Sequence, residues 1–169
     1  MTASEKFERF YAEAYAPLVR QLFAIVGELG EAEDVVQEAF AQASVRWRRI
    51  CAYDHPEAWV RRVAINRARS NLRRSRRLLA ALVRAGPPSE VPEISPDSVA
   101  VAAAMGRLPL RHREVLVLTY VVQLPIEETA RQLGVPAGTV KSRLARGRAA
   151  LARQLGEEQD DEREELSSA

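Results

Sequence analysis

Apolar residues recur at intervals of three and four along most of this chain, the spacing that lays one stripe down an α-helix. Phe7, Phe10, Tyr11, Ala14, Leu18, Leu22, Ile25 and Val26 form the first stripe and predict a helix over residues 4–27. Pro17 lies inside it and predicts a kink or split, because proline removes one donor. Gly27 and Gly30 bracket a turn. Ala32, Val35, Val36, Ala39, Phe40, Ala43 and Trp47 then predict a helix from about Glu31 to Arg49, with acid in its first turn where the helix dipole favours it. Ile50–His55 breaks the period and predicts a loop, and Pro56 opens the next helix. That helix runs to about Arg84, with Trp59, Val60, Val63, Ala64 and Ala68 turned inward.

The period stops at AGPPSEVPEISP, residues 85–96, whose four prolines and one glycine predict a semi-extended linker. Asp97 suits the N-cap of a short helix reaching Arg107, and Pro109 starts another, LRHREVLVLTYVV. Its β-branched run has strand character, but flanking Pro109 and Pro125 favour a buried helix. From Ile126 to Arg148 the sequence IEETARQLGVPAGTVKSRLARGR numbers as a helix-turn-helix. Ala130 takes the fifth position, where the helices cross and only a small side chain fits. Gly134 takes the ninth, in the turn, where a left-handed backbone is cheapest without a Cβ. Val140 takes the fifteenth and points back into the first helix, with Leu133, Val135 and Leu144 completing a small core. The expected fold is all-α. A helical bundle (1–84) and a helix-turn-helix domain (97–156) are joined by the proline-rich linker (85–96). The acidic tail (157–169) has no core residues and is expected to be frayed or disordered.

Charge sharpens this layout. The net charge of +2 conceals segregation: residues 1–40 carry −5, residues 41–84 carry +10, residues 127–156 carry +4 and residues 157–169 carry −6. Two separate basic blocks suit two contacts with a polyanion, and an acidic face suits a protein partner. Within the first block Arg62, Asn66, Arg69, Arg73 and Arg77 share one face, a stripe about 22 Å long at 1.5 Å per residue. That length is comparable to several successive phosphates of one strand. After Glu57 no acid interrupts the sequence through Arg84. In the second block the outer face of the later helix carries Ser142, Arg146 and Arg153, flanked by Lys141, Arg143 and Arg148. One buried stripe opposite a cationic, hydrogen-bonding face is what a DNA major groove accepts. Asp34, Gln37 and Glu38 share the face of their helix opposite its apolar stripe, where spacing alone favours plain solvation.

Catalytic chemistry finds no foothold. His55 and His112 lack a second ligand at metal spacing, and His112 reads as decoration on a helix. The single cysteine, Cys51, excludes an internal disulfide and a cysteine-rich zinc site. No phosphate-binding glycine loop or nucleophile elbow occurs, and Glu127–Glu128 are explained by a helix start. No enzyme, cofactor or metal is expected. No apolar run approaches the ~18 residues of a membrane span, and MTASEKFERF lacks a signal pattern, so a cytoplasmic location is expected.

In this order, AEDVVQEAF (32–40), PEAWVRRVAINRARSNLRR (56–74) and LPLRHREVLVLTYVVQLPIEETARQLGVPAGTVKSRLARGRAAL (108–151) resemble the extracytoplasmic-function (ECF) sigma factors, over roughly residues 5–155. These bacterial initiation subunits keep only the second and fourth conserved regions. The resemblance implies that Asp34, Gln37 and Glu38 dock on the clamp helices of the largest subunit of core RNA polymerase, reversing the bland reading of that face. It implies that the 50–55 loop and the Pro56 helix, with Arg62, Asn66, Arg69 and Arg73, engage the promoter minus-10 element and open it. Lys141, Ser142 and Arg146 match positions that read the minus-35 element, with Arg143 and Arg148 on phosphates. Further implied partners are the flap of the second-largest subunit and an anti-sigma factor. The alternative is a free-standing helix-turn-helix regulator, which would need neither the Asp34–Glu38 face nor the arginine-rich helix. An RNA-binding protein would expose aromatics for stacking, whereas Trp47 and Trp59 fall on core stripes.

Overall fold

The computed structural model describes residues 2–79 and 96–167. The chain divides into two compact units, Met1–Glu90 and Val91–Ala169. Residues 80–84, the expected end of the third helix, and all of the expected linker but Pro96 lie outside the described residues.

The first stripe folds as α1 (Ala3–Val26). Thr2 caps it: its hydroxyl accepts the Glu5 N–H at 3.2 Å, and the Glu5 carboxylate accepts the Thr2 N–H at 2.6 Å. This capping box satisfies two end donors at once. Gly27 closes the helix at φ 87°, donating to the Phe23 carbonyl. Of the kink or split expected at Pro17, the split does not occur: the helix continues through the proline. A proline costs about 3 kcal/mol in a helix interior. Leu18, Val19, Leu22 and Ile25 are all buried just beyond it, each contributing about 1.5–3 kcal/mol, so packing outweighs the lost bond.

The second stripe starts earlier than the apolar spacing indicates. The Glu28 carboxylate accepts the Gly30 and Glu31 N–H groups at 2.8 and 2.7 Å, so α2 spans Leu29–Val45. Arg46, at φ −109° and ψ 13°, leaves helical geometry and separates α2 from the single turn α3 (Trp47–Ile50). α4 (Pro56–Leu79) starts at the expected proline. α2 packs against both α1 and α4. Phe10 stacks on Trp47 with centroids 5.0 Å apart, and Phe40 meets Tyr11 edge-on at 4.9 Å. The covered face of α4 is rotated from the expected one. Val60, Arg61, Ala64, Ile65 and Ala68 are buried, while Trp59 and Val63 are only half-buried. The cause is contact with two neighbours, since α4 also touches α1. There the Arg61 Nε donates to the Gln21 Oε1 at 2.8 Å.

In the second unit α5 (Pro96–Arg107) begins at Pro96, the proline taking the first turn, so Asp97 lies inside the helix rather than capping it. α6 (Leu110–Leu116) continues into one π-helical turn, Val117–Val121, in which Val122 donates to the Val117 carbonyl at 2.9 Å. The expected buried helix over this run is thus only partly buried: Val115–Leu118 are covered, but Tyr120 and Val121 are exposed. α7 (Ile126–Leu133) and α8 (Ala137–Ser167) follow, and α8 packs on α5, α6 and α7. Gly147 is where α8 meets α6. A Cβ there would stand 3.3 Å from the His112 Cβ and 3.3 Å from the Leu116 Cδ1. His112 is therefore buried beneath α8, not decorating a surface, and its Nδ1 has no hydrogen-bond partner. Residues 157–167, expected to be frayed or disordered, continue α8 as helix. After Gly156 they contain no proline or glycine, and their Glu and Gln are good helix formers.

Candidate nucleic-acid and partner surfaces

The helix-turn-helix assembles from the residues its numbering singled out. Gly134 sits at φ 66° and ψ 37°, left-handed as required, and its N–H and that of Val135 both donate to the Ala130 carbonyl. Ala130, Leu133, Val140 and Leu144 are buried between α7 and α8, with Val135 half-buried. This seam leaves the other side of α8 open. Lys141, Ser142, Arg146, Arg148 and Arg153 are exposed there, with Arg143 half-buried. The Ser142 hydroxyl donates to the Thr139 carbonyl at 3.0 Å, so toward a ligand it offers its acceptor lone pairs. Beneath the cationic face lies His112. Burial, then Arg111, Arg143 and Arg146, pull its pKa below the ordinary value. All three arginines disfavour a further positive charge, as a site built for an anion would.

α4 presents the second basic surface. Arg62, Asn66 and Arg73 are exposed and Arg69 is half-buried, on the side away from Val60, Ala64 and Ala68. The preceding bend, residues 51–55, exposes Cys51, Tyr53, Asp54 and His55. His55 Nδ1 stands 3.3 Å from a Glu57 carboxylate oxygen at the start of α4.

On α2, Asp34 and Gln37 are exposed, but Glu38 is half-buried and committed to Arg67 of α4, its two oxygens taking the guanidinium Nε and Nη2. Acid gathers beside it. Burial, then Tyr11, Glu33 and Asp34, push the Tyr15 phenol up from its ordinary range.

Three residues were missed by periodicity. Arg67 carries no signal until α2 and α4 are known to pack. Arg61 reads as one more surface cation until α1 is seen to cover it. Tyr120 lies four residues after buried Leu116, so α-helical spacing puts it inside; the π turn turns it out, and its hydroxyl accepts from the Arg148 Nη1 at 3.4 Å. Among the described residues no three His, Cys, Asp or Glu side chains are grouped to hold a metal, and no helix is long and apolar enough to cross a membrane.

The family models "Sigma-70 region 2" and "Sigma-70, region 4" match residues 10–78 and 98–151. The ECF RNA polymerase sigma factor SigM of Mycobacterium tuberculosis is 37% identical over 136 residues, covering 75% of this chain and 65% of that protein's length. The RNA polymerase sigma-E factor of Streptomyces antibioticus is 34% identical over 153 residues, covering 89% of this chain and 84% of its own. The sigma factor RpoE of Bartonella quintana, solved in complex with the anti-sigma factor NepR, shares the fold. Its TM-score is 0.70 at 21% identity, over 90% of this chain and 98% of that one.

Proposed function

The chain belongs to the sigma-70 family of RNA polymerase sigma factors, within the ECF group, and from that premise we propose that it binds core polymerase, places it on promoters and helps open them. The observation that carries this reading is α8, with Val140 and Leu144 buried on one side and Lys141, Ser142, Arg146 and Arg148 exposed on the other. Residues 97–156 engage the minus-35 element: Lys141, Ser142 and Arg146 reach base edges, and Arg143 and Arg148 hold phosphates. Residues 1–84 engage polymerase and the minus-10 element. Asp34, Gln37 and Glu38 meet the clamp helices of the largest subunit. Arg62, Asn66, Arg69 and Arg73 track the displaced strand, where a cationic surface offsets the few kcal/mol of unstacking.

Residues 85–96 link the two regions, and the flap of the second-largest subunit is a further contact. An anti-sigma factor is the expected restraint, the acidic end 157–169 serves solubility, and the protein works in the cytoplasm without catalysing a reaction itself. The test is run-off transcription from genomic fragments with purified protein and core polymerase. Initiation at defined sites that depends on the protein is the expected result. DNA binding without any initiation would instead favour a free-standing regulator.

A further inference from the structure

The π turn between α6 and α7 has no part in the surfaces assigned so far, yet it determines where one tyrosine stands. In a continuous α-helix Tyr120 would follow Leu116 by one turn on the covered side. A π-helical turn holds more residues, so the chain beyond it is displaced around the axis. Tyr120 is 53% exposed as a result, with its hydroxyl 3.4 Å from the Arg148 Nη1 on α8. The two residues are 28 apart in sequence and belong to different elements. Arginine offers five donors and no acceptor, and a phenol is both donor and acceptor. Once the phenol oxygen accepts from Arg148, its own O–H remains to be given away beside the guanidinium.

We propose that Tyr120 and Arg148 form a two-residue clamp on one backbone phosphate of duplex DNA. Tyr120 is the positioning residue: its oxygen holds the guanidinium in one orientation, and its hydroxyl adds a second donor to the anion that Arg148 attracts. An arginine on an exposed helix face loses side-chain entropy when it binds. A tyrosine with two stiff torsions that fixes it beforehand removes part of that cost. This rests on the reading of α8 as a DNA-binding helix and assigns it a contact that periodicity cannot reveal.

The experiment is a salt titration of the full-length protein on a mixed-sequence duplex, since phosphate contacts do not depend on sequence. Arg148→Ala should lower the slope of log affinity against log salt by about one unit. Tyr120→Phe keeps the ring and should weaken binding roughly three- to tenfold, the net worth of one ordinary hydrogen bond. In the Arg148→Ala background the same change should cost clearly less than in the wild type, because the phenol oxygen then has no guanidinium to hold and only its own donation to the phosphate is lost. Tyr120→Phe should bind core polymerase as the wild type does.

Tyr120→Phe binding DNA like wild type, or equal losses in both backgrounds, overturns the clamp. Loss of polymerase binding with DNA binding intact overturns it too, and makes this tyrosine a protein contact. If the wild type shows no salt-dependent duplex binding, the DNA reading of α8 falls and takes the clamp with it. If Arg148→Ala lowers the slope while Tyr120→Phe does nothing, the clamp alone falls.

Discussion

Glu38 of α2 and Arg67 of α4 meet as a two-point carboxylate–guanidinium pair, so a side chain on the acidic face also braces the arginine-rich helix. Their side chains are 37% and 46% exposed, which limits the pair to about 0.2–1 kcal/mol. Glu38→Ala should therefore weaken polymerase binding and also lower the melting temperature by a small, measurable amount. Gln37→Ala, on the same face without that pairing, should weaken polymerase binding and leave the melting temperature alone. Arg67→Ala should reproduce the stability loss of Glu38→Ala, and the double variant should lose no more than either. Calorimetry alongside a polymerase pull-down separates the two roles. An Arg67→Ala protein as stable as wild type would show the pair to be idle.

His112 predicts a pH dependence for the second unit. Burial and the three arginines hold its pKa below the ordinary 6.5 in the folded state. The unfolded chain therefore takes up the proton first as pH falls. Stability is full above about pH 6.5 and declines as pH drops through the window between the unfolded and folded values. Melting scans between about pH 8 and pH 5 should show the decline, and His112→Leu should flatten it. An unchanged slope in that variant would assign the effect to other groups.

Gly147 predicts a size limit at the α6–α8 crossing. Alanine favours a helix over glycine by about 1 kcal/mol, but its Cβ would press on His112 and Leu116 at 3.3 Å. Gly147→Ala should come out close to neutral. Gly147→Val adds bulk that the crossing cannot admit, and should destabilise by about 1–3 kcal/mol. Chemical denaturation of the two variants decides it, with equal stabilities speaking against a close approach.

Gln123 has φ 60°, the only non-glycine residue with positive φ among those described. The left-handed region costs a side-chain-bearing residue roughly 1–2 kcal/mol, partly offset by the entropy glycine loses on folding. Gln123→Gly should raise stability by about 0.5–1 kcal/mol, and Gln123→Val should lower it. A destabilised glycine variant would mean that the glutamine side chain supports the bend.

Residues whose role depends on one element were readable from sequence. Ala130, Gly134 and Val140 landed where the helix-turn-helix numbering put them, because a local period and a local backbone demand fix all three. Asp34 and Gln37 came out exposed for the same reason. What escaped was set by neighbours. Arg61 and Ile65 are buried because α4 touches two helices, which a single stripe does not express. Glu38 looked like a free carboxylate because its partner lies 29 residues away. No split occurs at Pro17 because the core that follows it, Leu18 to Ile25, outweighs local propensity, and that core is not visible in the proline's immediate neighbours.

The π turn also holds a surplus residue. Each residue of an α-helix advances the chain by about 100° and 1.5 Å. A π turn closes from residue i to i+5 instead of i to i+4, so Val117–Val121 carry one extra residue through about the rotation and rise of an ordinary turn. Removing one residue between Val117 and Val121 would therefore let α6 run on in ordinary α geometry while α7 and α8 kept their places, with Gly147 still over His112. The surplus residue is absorbed locally, and a one-residue deletion in this turn should harm the unit far less than the same deletion inside α7 or the first turns of α8.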